Sequence, residues 1–483
     1  MTRDSRLLLI LSVLCLSWHS ATPHHYYPIS FPILNPQNSI QLSSSQTTHL
    51  QTGKCEDYPY RSLTLTLPGQ APTTLYPGFI DSSRVSCLTL TDGYIERINS
   101  NAFVYLTNLL YLDLSRNRIQ LCDLLTFSAN SLKTLVIDEN THGSQDVVLT
   151  DSGYFPNLQH LYLRKNSLRD IRINLRSNFP SLTHLYLSDN QLDGRSIEYL
   201  QLPSTLTHLH LERNWIYHLD TSNLIGLTSL FLDGNRLGSV CSWLCQNHNS
   251  LALRRNSRMK FLSLSANEIN HVDRDSFIDL TSLQSLNLAH NKISYITPGT
   301  FNGLHQLSDL SLSHNSLTSI PDLRSLGSLA SLSLDHNYIG TVHTGAFGNF
   351  YRLLYLSLGS NRINCIETSA FTNLQSLKEL DLSDNQLSYL PSGWISNTCL
   401  EHLDIRNNRL TSLDSLSIPD LLTLTHIYVQ GNPLSRYENY WWINPSTRVH
   451  IEYNSSVRRG TCYVQCDSYS IPRVSFADEW VVW

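Results

Sequence analysis

Leu307-Ser308-Asp309-Leu310-Ser311-Leu312-Ser313-His314-Asn315 places leucines at its first, fourth and sixth positions and an asparagine at its ninth. The same spacing, L-x-x-L-x-L-x-x-N, recurs in copies ending at Asn117, Asn140, Asn166, Asn190, Asn214, Asn235, Asn267, Asn291, Asn315, Asn337, Asn361, Asn385, Asn408 and Asn432. A degenerate first copy carries Val85, Leu88 and Leu90, with Gly93 where the asparagine would stand. Successive copies are mostly 22 to 26 residues apart, the signature of a solenoid in which each unit is one short strand, a turn and a return segment. A single unit cannot bury its own leucines, so stacking on neighbours must do it. The asparagine leaves the strand where backbone groups of adjacent turns need partners. A side-chain amide there can bridge them, and losing such a bond costs roughly 1 to 3 kcal/mol. The asparagines are therefore read as structural. The return segments carry a second mark, a phenylalanine in Ala102-Phe103, Ser276-Phe277, Thr300-Phe301, Ala346-Phe347 and Ala370-Phe371.

With about 24 residues per unit and that downstream phenylalanine, the copies resemble the typical class of animal extracellular leucine-rich repeats, the class of Toll-like receptor ectodomains. In architecture the chain is also similar to the secreted leucine-rich-repeat immune proteins of arthropod body fluid. The resemblance runs from about Cys55 to Cys466. It implies an α/β solenoid, a horseshoe with a parallel concave sheet and an irregular or short-helical convex side, whose concave face serves protein recognition.

The ends set the domain plan. Residues 1–21 read as a secretory signal peptide, with Leu7 to Leu16 uncharged and small or polar residues from Ser17 to Ala21. That run is about half of the ~20 residues needed to span a bilayer, and no later segment is more apolar, so no membrane insertion is expected. Residues 22–54, rich in Pro, Ser, Thr, Gln and His, read as a flexible arm. An N-terminal cap with the degenerate repeat (55–92), the repeats (93–432) and a C-terminal cap and tail (433–483) follow. After Asn432-Pro433 come Tyr437, Tyr440, Trp441 and Trp442, aromatics suited to covering the last repeat. Of ten cysteines nine remain without Cys15, an odd number that leaves one buried thiol or one intermolecular bond. Cys55 and Cys87 are expected to join across the N-terminal edge. Cys462 and Cys466 are candidates whose pairing stays open. Asn454-Ser455-Ser456 is a glycosylation sequon. These features together predict a secreted, extracellular protein.

One spacing is anomalous. From Asn235 to Asn267 the chain takes 32 residues, including Cys241-x-x-x-Cys245, Arg254, Arg255, Arg258 and Lys260. Asn256 closes a false repeat only 11 residues before Asn267. The irregular insertion, 236–258, is expected to loop out or bend the solenoid. It is either a tolerated insertion or a basic, disulfide-pinned contact loop.

Side chains alternate along a strand, so the residues flanking the two central leucines project away from the core, and equivalent positions in successive units stand about 4.8 Å apart. In the early repeats these positions hold His160, Tyr162 and Arg164, then His184 and Tyr186, then His208, His210 and Glu212. Large amphipathic rings on a rigid exposed surface are what binding hot spots contain. This patch is the candidate partner-binding site, against the plainer reading that such rings merely suit a strand surface. The middle repeats present a floor of small groups instead: Ser263, Ser265, Ser285, Asn287, Ser311, Ser313, Ser331, Ser333 and Ser357. Beside it His290, His314 and His336 share one position in three consecutive repeats. Three imidazoles could hold a divalent metal, could repel one another when protonated, or could be solvated surface residues, the reading adopted here. No metal or cofactor is expected.

With 34 basic and 39 acidic side chains and a net charge of -5, nucleic acid is a poor default partner. No H-E-x-x-H, G-x-S-x-G, P-loop or dinucleotide motif occurs, so no enzyme is expected. The functional expectation is a recognition protein in innate immunity or cell-surface signalling. Alternatives are an adhesion or matrix protein, as a disulfide-linked or non-covalent dimer, and a binder of microbial polysaccharide or lipid.

Overall fold

A computed structural model describes residues 74–80, 83–120, 123–140, 153–241, 249–395, 398–413 and 423–434, with short strand segments at 62–64, 148–149, 450–452, 461–465 and 473–477. The chain is a parallel-strand solenoid. Among the described residues one compact unit runs to Leu219 and includes Ser229–Phe231; the second comprises Asp220–Thr228 and the residues from Leu232 onward.

In the first unit the ladder strands are β1 (Cys87–Thr89), β2 (Tyr111–Asp113), β3 (Thr134–Val136), β4 (His160–Tyr162), β5 (His184–Tyr186), β6 (His208–His210) and β7 (Ser229–Phe231). Each pairs in parallel with the next, with no slip: Leu88 faces Leu112, Leu112 faces Leu135, and so on to Leu209 and Leu230. These central leucines are all completely buried. Because side chains alternate, a one-residue slip in any strand would turn its leucine outward, so the repeat itself enforces the register. The second unit repeats the arrangement in β8 (Phe261–Ser263), β9 (Ser285–Asn287), β10 (Asp309–Ser311), β11 (Ser331–Ser333), β12 (Tyr355–Ser357), β13 (Glu379–Asp381), β14 (His402–Asp404) and β15 (His426–Tyr428).

Past each strand the chain turns through a residue in the left-handed region, placed immediately before the ladder asparagine. Arg116, Lys165, Asp189 and Arg213 in the first unit, and His290, His314 and His336 in the second, all have φ between 52° and 59°. At Gly234 and Gly431 a glycine takes this position, where it avoids the strain that a Cβ brings at positive φ. The asparagines that follow are buried, Asn432 half-buried, and they bridge neighbouring turns as expected. Asn315 Nδ2 donates to the Leu288 carbonyl of the preceding turn at 2.9 Å and to the Leu312 carbonyl at 3.1 Å, while its Oδ1 accepts from Ile293 N at 3.0 Å.

The return segments are packed by phenylalanines. Phe79, Phe103, Phe127, Phe155 and Phe179 form a continuous column in the first unit, with ring centroids 4.9 to 5.7 Å apart. In the second unit Phe277 stacks on Phe301, and Phe347 meets Phe371, which meets Trp394 edge-on. Helix among the described residues is limited to α1 (Leu175–Asn178) and α2 (Gly194–Tyr199), whose first turns are capped by Asn174 and Asp193.

The described part of 236–258 does not loop out. Ser250–Ala252 pairs in parallel with Ser239–Cys241, which pairs in turn with His271–Val272, so the additional residues form a strand on the return side. Leu251, Leu253 and Met259 are buried, and Asn256 is completely buried, its Nδ2 donating to the carbonyls of Thr221 and Leu224. The false repeat is a shortened one. It keeps the two central leucines, Leu251 and Leu253, and the asparagine of a unit, with His248 where the first leucine would stand, and it packs rather than protruding. Arg255, Arg258 and Lys260 remain exposed.

Cys87 and Cys241 each take part in a disulfide, and among the described residues Cys365 and Cys399 are free. The signal segment and arm (1–54), Cys55, Cys245, Asn454, Cys466 and the aromatics from Tyr437 to Trp442 lie outside the described residues. At the C-terminal end the parallel pattern stops: the strand Thr461–Gln465 pairs antiparallel with both His450–Glu452 and Arg473–Ala477. No helix among the described residues is long and apolar enough to cross a membrane.

Candidate binding face

All eight predicted contact residues lie on the solvent side of β4 to β6 or in the turns directly after them, within the first unit. In-register pairing brings His160, His184 and His208 into one column and Tyr162, Tyr186 and His210 into the next. Imidazole centroids are 4.3 Å apart from His160 to His184 and 4.1 Å from His184 to His208. The second column runs Tyr162, Tyr186, His210, Phe231 at 4.1, 4.5 and 4.3 Å. Strand spacing and ring-stacking distance are nearly the same, so identical ring positions on adjacent strands lie flat against each other.

That stacking corrects one expectation. Strand alternation predicts an exposed patch, yet His160, Tyr186 and Glu212 are only 8, 7 and 8% exposed and the other five are half-buried. Neighbouring rings cover each other's faces and leave mainly their edges to solvent. Phe231, at the end of the second column, was not anticipated because its own repeat carries no histidine or tyrosine at the strand.

Burial sets the charge state. His160 and His208 are each pushed down to about 4 by burial, and His184 to about 2 by burial and by the histidines on either side. At neutral pH the column is uncharged. Charge is held at its margins. Arg164 forms a two-pronged ion pair with Asp138, with its Nε 2.9 Å from Oδ2, and its guanidinium lies over the Tyr162 ring. Burial pushes Asp138 up to about 8 and Arg164 down to about 10, and their ion pair offsets only part of that cost. Burial alone would raise Glu212, but His210 and the hydrogen bonds from His210 and Ser188 hold its carboxyl below the usual range. His210 Nδ1 is 2.9 Å from Glu212, and its Nε2 has no hydrogen-bond partner among the described residues. The arrangement is a rigid stack of rings, uncharged along the His160 column and bordered by ion-paired groups. It suits docking.

The second unit differs along its length. Of the small groups expected to floor this face, Ser263, Ser285, Asn287, Ser311, Ser313, Ser333 and Ser357 are buried and Ser265 and Ser331 half-buried, so the floor is more enclosed than the spacing suggests. Beyond them a second ring patch appears. His402 stacks on His426 at 4.6 Å, Arg406 lies 5.6 Å from the Tyr428 ring centroid, and Arg406 pairs with Asp404 through Nε at 2.9 Å. Its composition parallels the His, Tyr, Arg and Asp of the first patch. The sequence reading passed over it, although His402 and His426 occupy the same first strand position as His160, His184 and His208. Asp381, beside it, is pushed up to about 6 by burial and by Asp404.

Comparison with known proteins agrees with this architecture. Models described as "Leucine rich repeat" match residues 249–323, 327–387 and 376–434, one described as "Leucine Rich repeats (2 copies)" matches 156–201, and one described as "BspA type Leucine rich repeat region (6 copies)" matches 63–153. The chain belongs to the leucine-rich repeat family. It is 45% identical over 60 residues to mouse (Mus musculus) transforming growth factor beta activator LRRC32, a match spanning 12% of this chain and 9% of that protein. The Pongo abelii protein of the same name matches at 43% over 60 residues, again 9% of its length. Among solved structures it is similar to the LRR protein LIC12759 of Leptospira interrogans (TM-score 0.54, 22% identity, 82% of this chain and 97% of that one). It is also similar to a chain of the Drosophila Toll–Spatzle complex (TM-score 0.51, 18% identity, 77% and 68%) and of the LRIM1/APL1C complex (TM-score 0.50, 20% identity, 76% and 61%). At these identities the structures share a fold with this chain.

Proposed function

We propose that this chain is a secreted recognition protein that binds an extracellular protein partner through the stacked rings of β4 to β6, in innate immunity or cell-surface signalling. The observation that carries the reading is the double ring column itself. Stacked rings have already lost their side-chain freedom, so docking costs little further entropy, and each offers an apolar edge beside a polar handle. Two of the similar structures are of leucine-rich-repeat chains in complexes, Toll with Spatzle and LRIM1 with APL1C. Secretion is supported by the disulfide-bonded Cys87 and Cys241, which suit an oxidising compartment.

Tyr162 and His208 end their respective columns, so each can be removed without opening a stack in the middle. A double variant, Tyr162→Ala with His208→Ala, is expected to weaken capture of a protein partner from native extracellular fluid at least ~tenfold, about 1.4 kcal/mol, with little change in melting. Tyr351→Ala, at an exposed position in the second unit, is the control and should bind normally. Equal capture by all three proteins would move the site off these strands.

Adhesion or matrix assembly as a covalent dimer is the second reading, favoured by one observation: Cys399 is free and exposed. On non-reducing electrophoresis a dimer band that disappears in Cys399→Ser would establish it; a monomer band from the wild type would dismiss it.

A further inference from the structure

His290, His314 and His336 each immediately precede a ladder asparagine, in the turns after β9, β10 and β11, with φ of 54°, 52° and 54°. Histidine is among the residues that tolerate this conformation. The shared turn geometry aims the three imidazoles the same way, and their centroids stack at 4.0 and 3.9 Å. Asp335 joins them from the adjoining position. Its Oδ1 accepts from Ser313 Oγ at 2.5 Å, its Oδ2 lies 3.0 Å from His336 Nδ1, and its carbonyl accepts the His314 N–H at 3.0 Å. One donor atom each from His314, Asp335 and His336 lies within 4.8 Å of the other two.

We propose that His314, Asp335 and His336 form a binding site for a divalent transition metal ion of the Zn2+ or Cu2+ type, with His290 alongside. Two imidazole nitrogens and one carboxylate oxygen are the mixed donors such ions take, whereas Ca2+ calls for six or more oxygens and Mg2+ for near-octahedral oxygen ligation. Preorganisation comes from the chain itself. The left-handed turns fix the starting points of the imidazoles, and the Ser313 hydroxyl holds the carboxylate from behind, as an outer-sphere partner does in established sites. Lone pairs of stacked rings run parallel, so coordination requires the rings to splay. His336, with its side chain 49% exposed, has the room. Three ligands leave at least one position open for water or for a group from a docked partner.

The test uses the full chain, stripped with chelator and titrated at neutral pH with Zn2+ and, separately, Cu2+ by calorimetry. Other surface histidines will bind weakly. The expected result is one tighter site per chain, weakened ~10-fold or more in His314→Ala and in Asp335→Asn, with a metal-induced rise in melting temperature that both variants lose. His271→Ala, at the exposed His271–Asp273 pair, should leave the tight site intact. If the metal-free melt of His314→Ala is lowered, His314→Gln serves in its place. Absence of a tight site in the wild type, or equal affinity and stoichiometry in His314→Ala, His314→Gln and wild type, would overturn the assignment.

Discussion

Asn315→Leu is expected to lower stability by about 3 to 5 kcal/mol and to reduce secretion sharply. The two side chains are close in size, so the change isolates hydrogen bonding from packing. Asn315 is 6% exposed and supplies bonds to carbonyls in two turns and to Ile293 N. Leucine can make none of these, and the stranded groups are shut away from water. An unmade bond from a buried donor or acceptor costs about 1 to 3 kcal/mol, and the losses accumulate because one amide serves several partners. Asparagines on both sides, Asn291 and Asn337, make the same bridges and cannot reach across the gap. Urea unfolding and the amount of protein in the medium read the effect. A wild-type midpoint in Asn315→Leu would mean that the amide ladder is not what joins successive turns.

Acidification gives the second large effect. An imidazole in the unfolded chain titrates near 6.5, whereas His160 and His208 titrate at about 4 and His184 at about 2 in the folded protein. A folded value below the unfolded one means that stability is fully present above pH 6.5 and falls as the pH drops towards the folded values, because the unfolded chain takes up protons that the stack refuses. Each unit of difference is worth about 1.36 kcal/mol, so at pH 5 one such histidine costs on the order of 2 kcal/mol. Asp381 acts in the opposite sense in the second unit, its carboxyl raised to about 6, so the comparison of variants is the informative quantity. His184→Phe retains a flat ring in the column and removes a proton site. Its urea midpoint should decline less than that of the wild type between pH 7 and pH 5, and the amides of β4 to β6 should stay better protected from exchange. Parallel pH profiles would show that the histidines charge freely and that the column does not desolvate them.

Several parts of the site were legible before any fold was known. Histidine and tyrosine at fixed positions in three consecutive copies must share columns once the strands pair in register. Their exposure was not legible, since it depends on the closeness of strand spacing to ring-stacking distance, by which Tyr186 is covered on both sides. His402 and His426 are equally readable by position, since they stand at the same first strand position as His160, His184 and His208. Asp335 is harder to see. Its side chain is one among many acidic residues until Ser313, 22 residues earlier, is brought within hydrogen-bond distance.

The repeat by itself determined the strands, the buried leucines and the amide bridges, because each depends on a period that successive copies share. Only the tertiary structure decided the path of 249–258, the neutral charge state of the His160 column and the meeting of His314, Asp335 and His336. These depend on which side chains from different turns come to lie together, and on how far water is excluded when they do.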